Sequence, residues 1–334
     1  MNRPDALHPP VAPTAISRPW LARLHPGLFG MVLGILGLSG AWQRLGHLDV
    51  GGAADVSAVL LIVGVVLLVV LLVLWGVKAL RFPAVVRQEW SHPVQGALLA
   101  LLPVSTLMAV ALLVPRHPEL TGVAFPVAML ALAFQGTMAW HVVAALSTGQ
   151  TPPELVTPAL YLPTVPGGFV GAMALDALGW HGWATLLVGM GLGAWALLEM
   201  RILNRLFAGP LPPALRPTLG IEMSPAAVGA LATVTLWPSL PADVLMVMLG
   251  VASGPVLAVL TRWRYWAAVP FNVGFWSFSF PLAALSGAAV EAVGHGGWPV
   301  AVAMSAVGMA SAVVTFLALK TVVLTARGKL LPPV

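Results

Sequence analysis

The sequence predicts an all-α polytopic membrane protein, and three observations carry that reading. Of 334 residues, 59% are hydrophobic and 8% charged, with a mean hydropathy of +0.94; an ordinary soluble domain is about a quarter charged. Ten windows reach the roughly 20 mostly apolar residues that a helix needs to cross the hydrocarbon core. Lys and Arg gather on one side of those windows.

The chain opens with a segment rich in Pro and polar residues, 1–24. It lacks the apolar core of a cleavable signal, so it is expected to be a flexible cytoplasmic tail, with Arg18, Trp20 and Arg23 at headgroup level. The ten windows then run over 26–43, 57–79, 94–114, 121–146, 158–178, 183–203, 221–240, 243–262, 271–290 and 297–325. With ten spans both termini share a side. Fourteen of the sixteen Lys and Arg fall there, and Arg44 and Arg116 are alone opposite. By the positive-inside rule that side is cytoplasmic. The same bias disposes of a nucleic-acid reading of the isoelectric point near 10.4, since the charges sort by membrane side rather than forming one basic patch.

The windows alternate in kind. Span 1 carries Gly27, Gly30, Gly34 and Gly37; span 3 has Pro93, Gly96, Pro103, Ser105 and Thr106; span 5 has Pro158, Pro163, Pro166, Gly167, Gly168 and Gly171; span 7 has Ser224, Pro225 and Gly229; span 9 has Gly274, Ser277, Ser279 and Pro281. Even spans are plainer, although Pro126 and Pro255 interrupt two of them. Connections after odd spans are mostly short and poor in basic residues. The chain thus reads as five helical hairpins, with kinked odd helices lining a central pore and greasy even helices facing lipid. The other reading is that Gly and Pro are simply common in membrane helices, with Gly30 and Gly34 forming a small-residue packing face.

The ninth span opens with FNVGFWSFSFP (271–281). Pro281 lacks an N–H and disturbs the helix ladder about a turn back. Such a break at membrane depth is tolerated where freed backbone groups find partners in protein or along a wet cavity. Phe280 beside it is a candidate constriction that gates by excluding water. Packing or interfacial-belt roles are the alternative for these aromatics, and they suit Phe271 and Trp276 better.

Five stretches in order carry a family resemblance: HPGLFGMVLGILGLSGAW (25–42), RFPAVVRQEWSHPVQGALLALLPVSTL (81–107), TPALYLPTVPGGFVGAM (157–173), LPPALRPTLGIEMSP (211–225) and PFNVGFWSFSFP (270–281). Together the chain resembles the tellurite-resistance/dicarboxylate transporter family, closest to its TehA-like bacterial branch and related to the plant slow anion channels. The resemblance covers 25–329. It implies a ten-helix anion channel or transporter domain and a homotrimer with a pore in each protomer. It also implies a bacterial plasma (inner) membrane location and a Phe on the ninth helix blocking the pore, which falls on Phe280. Pro281 stands where the bacterial branch has Gly and the slow anion channels have Pro.

The implied partners are small inorganic or organic anions, such as tellurite or C4-dicarboxylates, and the lipid bilayer. Pore-lining candidates are Gly27, Gly30, Gly34, Ser105, Thr106, Thr164, Gly168, Gly171, Ser277, Ser279 and Pro281, although each hydroxyl has its own helix backbone as an alternative partner. Arg87 and Arg216 are candidate charges at the cytoplasmic mouth. No Lys or Arg falls mid-span in an odd helix, so selection is expected to rest on weak polar groups, pore width and helix N-termini. Glu199 and Glu222 sit near basic residues, where structural ion pairs are expected. His25 and His92 each precede Pro, which suits a role at the helix start, a proton or metal site being the alternative; His141 reads as packing. Without cysteines, HExxH or a phosphate-cradling loop, nothing supports an enzyme, a cofactor, a metal centre or a nucleic-acid partner. The competing readings are a proton-coupled exporter of an oxyanion such as sulfite or tellurite, and a membrane receptor or assembly subunit that conducts nothing.

Overall fold

In the computed structural model, residues 19–331 are described. Ten helices among them are long and apolar enough to span a membrane. Spans 1 to 10 are Pro26–Gly46, Ala53–Arg81, Pro93–Leu113, Pro118–Ser147, Pro158–Ala177, His181–Phe207, Pro213–Leu236, Ala242–Thr261, Val273–Gly296 and Val300–Ala326. All ten overlap the windows expected from hydropathy. Of the expected tail, 1–18 lies outside the described residues. Trp20–Arg23 form a 3-10 turn, and Leu21, Ala22 and Leu24 are buried against the bundle.

Odd and even spans separate by burial. The most apolar window of each odd span is 78–94% buried, and that of each even span 22–28%. Hydrocarbon gives helices no hydrophobic reason to associate, so close packing rests on small residues. The odd helices have them, while span 2 turns Val59, Ile62, Val66, Val69 and Val73 outward. Packing between odd spans closes a ring: span 1 lies against spans 3 and 9, span 3 against 5, 5 against 7, and 7 against 9. Each even span packs on the odd span before it. Contact between spans 5 and 6 is closest at Gly168, where an added Cβ would come 2.9 Å from the Gly191 backbone.

Every odd span is broken near its start. Spans 1, 5, 7 and 9 begin in 3-10 turns at Pro26–Leu28, Pro158–Tyr161, Pro213–Met223 and Val273–Phe278. Span 3 is split into Pro93–Leu99 and Leu101–Leu113, with Pro103 on the far side of the break. Four of the five starts are capped by a side chain accepting a backbone N–H: His25, His92, Thr157 and Asn272. A Pro near the first helical position needs no donor, and the preceding cap satisfies an orphan N–H. Among even spans only span 4 opens in a 3-10 turn, Pro118–Leu120, and the helices that contain Pro126 and Pro255 run on through them.

Candidate functional site: a cavity at the broken ends of the inner helices

The broken ends enclose a cavity of about 690 Å³, and every span that lines it is odd-numbered. Span 1 contributes Gly27, Gly30 and Leu33; span 3, Gln95 and Leu98; span 5, Leu162; span 7, Thr218 and Ser224; span 9, Ser277, Phe280 and Pro281. The mouth adds Arg23 and the helix Pro83–Ser91 that links spans 2 and 3. This end carries the basic loops.

Several backbone carbonyls at the breaks are taken by side chains. Ser277 Oγ donates to Pro217 O, which joins spans 9 and 7. Gln135 Nε2 reaches in from span 4 to Leu162 O at 3.0 Å and Pro163 O at 2.6 Å. Ser279 Oγ donates to Trp276 O at 2.7 Å. Breaks at membrane depth survive because such partners exist.

Phe280 stands at the inner end of the cavity and is 4% exposed. Its ring lies against span 1 at Gly37, where an added Cβ would meet Phe280 Cδ2 at 2.8 Å. One turn earlier Gly34 faces Ser279, whose Oγ would lie 2.0 Å from an added Cβ. The Gly34–Gly37 face therefore seats the start of the α-helical part of span 9, and with it the Phe280 ring. Pro281, third residue of that α-helical part, follows the 3-10 turn.

Of the residues singled out in the sequence, Gly27, Gly30, Ser277, Phe280 and Pro281 line the cavity together. Others face elsewhere. Gly34 and Ser279 are sealed in the span 1–span 9 contact. Ser105 Oγ donates to Phe29 O at 3.1 Å, across spans. Thr106 and Thr164 turn back to Leu102 O and Tyr161 O, the local bonds that compete for any membrane hydroxyl. Gly168 faces outward onto span 6, and an added Cβ on Gly171 would meet Leu132 and Leu187 of spans 4 and 6 before Leu107 of span 3. Arg87 is exposed on the linking helix. Arg216 stacks over the Tyr265 ring at 4.4 Å rather than lining the cavity.

The other polar expectations sort as follows. Glu222 pairs with Arg262 Nη2 through both carboxylate oxygens, at 2.9 and 2.8 Å. Glu199 has no such ion pair among the described residues; it accepts from the Tyr161 hydroxyl and from Trp195 Nε1 instead, because Trp195 lies one turn back on its own helix and Arg201 does not. His25 and His92 accept from Gly27 N at 3.0 Å and Gln95 N at 3.3 Å. Both are helix caps that also line the cavity. Burial, and then the charge of Lys78, push His25 down to about 4. His141 packs on Trp90, ring to ring at 5.7 Å.

A family model described as voltage-dependent anion channel matches residues 23–326. The chain belongs to the voltage-dependent anion channel family. It is also 28% identical over 306 residues to the tellurite resistance protein TehA homolog of Haemophilus influenzae, with 92% of each chain covered. The match takes in all ten spans, the cavity and Phe280. It agrees with the resemblance read from the five stretches, and it places the chain among integral membrane proteins of anion transport rather than among enzymes.

Two features of the site carry little signal in the sequence. Lys78 is buried at the end of span 2, with Nζ on Leu24 O at 2.6 Å and on Glu89 of the linking helix. Arg44, near the opposite end of span 1, reaches Thr235 of span 7 and Glu291 of span 9. Residues so far apart in sequence leave no local pattern; only a charge set in an apolar helix hints at either.

Proposed function

We propose that each protomer passes small anions along the axis of its odd-numbered helices, from the basic mouth through the 690 Å³ cavity and past a gate at Phe280. The observation that carries this is the cavity itself: all five odd spans line it, and the buried Phe280 ring is part of its wall. Cationic loops concentrate anions at its mouth. The positive ends of five helices start around it and attract anions without binding them tightly. A dry apolar plug is the kind of constriction that stops ions by excluding their water. We extend the same reading to a transport domain over 25–329, to cytoplasmic termini, supported by the charge split, and to a homotrimer in a bacterial inner membrane, supported by the resemblance alone.

Anion flux into liposomes holding the purified chain, for chloride, nitrate, sulfite, tellurite and malate, tests the proposal. Flux that follows the anion gradient at fixed pH is expected. Flux that requires a proton gradient supports the coupled exporter instead, with His25 and His92 as the first titratable groups to examine. No flux of any anion, with Phe280 intact or replaced by Ala, supports a non-conducting role.

A further inference from the structure

Arg44 puts a guanidinium inside the helix ring, beyond Phe280. It lies seven residues past Gly37 on span 1, roughly 10 Å along the axis at 1.5 Å per residue. Nη2 donates to Thr235 Oγ1 of span 7 at 2.8 Å, and Nη1 lies 3.5 Å from Gly40 O. An added Cβ on Gly40 would touch both Leu112 of span 3 and Arg44 Nη1. Spans 1, 3, 7 and 9 therefore converge on this side chain. Glu291 Oε1 is 3.0 Å from Nε, yet the buried Nε–H has no aligned acceptor among the described residues. The pair joins one guanidinium nitrogen to one carboxylate oxygen. Arg262 and Glu222, by contrast, form a closely bonded pair.

The surroundings are cationic. His295 Nδ1 is 2.9 Å from Glu291 O, and Nε2 is 2.8 Å from Pro238 O. Carbonyls only accept, so a neutral ring serves one of the two and a protonated ring serves both. Its Nδ1 is 3.8 Å from Glu291 Oε2. Arg116, at the end of span 3, donates to Ser57 Oγ at 2.7 Å, and its guanidinium is pushed down by burial and then by the charge of Arg44. Arg116 and His295 thus flank the Arg44–Glu291 pair, Arg116 acting on Arg44 and His295 lying by Glu291. A second cavity of about 290 Å³, lined by Arg44, His47, Glu291 and His295, adjoins them.

We propose that Arg44 is an outer binding site for small planar oxyanions, and that the Glu291 carboxylate is a built-in competitor occupying it. A guanidinium matches two oxygens on one centre, as a carboxylate or a nitrate presents them. An unmasked Arg44 in the ring would hold an anion and slow its exit. Glu291, touching Arg44 through one oxygen, keeps the site weak enough to release what enters, and conduction requires such weak binding. The inference rests on the anion path proposed above, but its test does not need conduction.

The test is nitrate-dependent thermal stabilisation of the purified full-length chain in detergent at low ionic strength. Glu291→Gln removes the competitor and is expected to lower the half-effective nitrate concentration at least tenfold relative to the parent. Glu291→Asp, which withdraws the charge by one methylene, is expected to give a smaller shift of the same sign and serves if the Gln variant does not fold. Arg44→Gln/Glu291→Gln is expected to lose the response. With Phe280→Ala added, Glu291→Gln flux should saturate at lower nitrate. An unchanged half-effective concentration in both Glu291 variants, or a response retained without Arg44, overturns the site. If Phe280→Ala alone does not conduct, the transport reading fails while the stabilisation assay still decides the site.

Discussion

At the scale of single residues, the closest contacts set the tolerances. Gly34 admits no side chain while Ser279 of span 9 sits 2.0 Å from where a Cβ would lie. Gly34→Ala is expected to destabilise the detergent-solubilised protein by about 1–3 kcal/mol, the usual cost of overpacking. Gly76→Ala on span 2, where an added Cβ meets nothing within 4 Å, should be neutral or slightly stabilising. Thermal melts of the two variants check this, and equal melting points would contradict it. His25 supplies a pH signature. Its folded value near 4 lies below its ordinary 6.5, so the unfolded chain binds the proton more tightly between those values. Stability from this residue is complete above about pH 6.5 and is lost as pH falls towards 4, with a slope of at most about 1.4 kcal/mol per pH unit. His25→Asn, which can keep the cap, is expected to flatten that part of the melting-temperature profile.

At the scale of elements, the broken starts of the odd spans need tethers, and Lys78 is one. Buried at the end of span 2, it holds the segment before span 1 through Leu24 O and the linking helix through Glu89. Lys78→Met is expected to cost about 3–5 kcal/mol, since it takes a buried cation from its carboxylate. Lys78→Met/Glu89→Gln should recover part of that loss in chemical unfolding. The existence of the elements was readable in the sequence: apolar runs, His-Pro starts and Gly-rich odd spans mark them, while their ends were less so, since span 7 begins at Pro213 rather than near 221. Their facing was not. A helix apolar all round shows no inward stripe, so Gly168 and Gly171 were grouped with Gly27 and Gly30 although they face spans 4 and 6. Nor does spacing show whether a hydroxyl turns to its own backbone, as Thr106 and Thr164 do.

At the scale of the whole molecule, the split of basic residues, the ring of odd helices and the placement of Phe280 are what support the proposal of one axis with a cationic mouth. Phe280 was legible because an aromatic beside a proline stands out in a membrane span; the Arg44–Glu291 pair was not, because each residue alone reads as an interfacial charge. In a chain opened by Phe280→Ala, Arg87→Ala is expected to lower conductance at low salt and to lose that effect at high salt, since exposed charge is screened over about 8 Å at physiological ionic strength. The order of anions should stay unchanged, with weakly hydrated nitrate and iodide ahead of chloride and sulfate, because the mouth gathers anions without sorting them. The central claim is that Phe280 closes this axis. Its most direct test is anion current through reconstituted Phe280→Ala beside the parent and Phe271→Ala. A large rise for Phe280→Ala alone is the predicted result, in a variant that stays folded though it melts lower for the loss of a buried ring; three indistinguishable currents would contradict it.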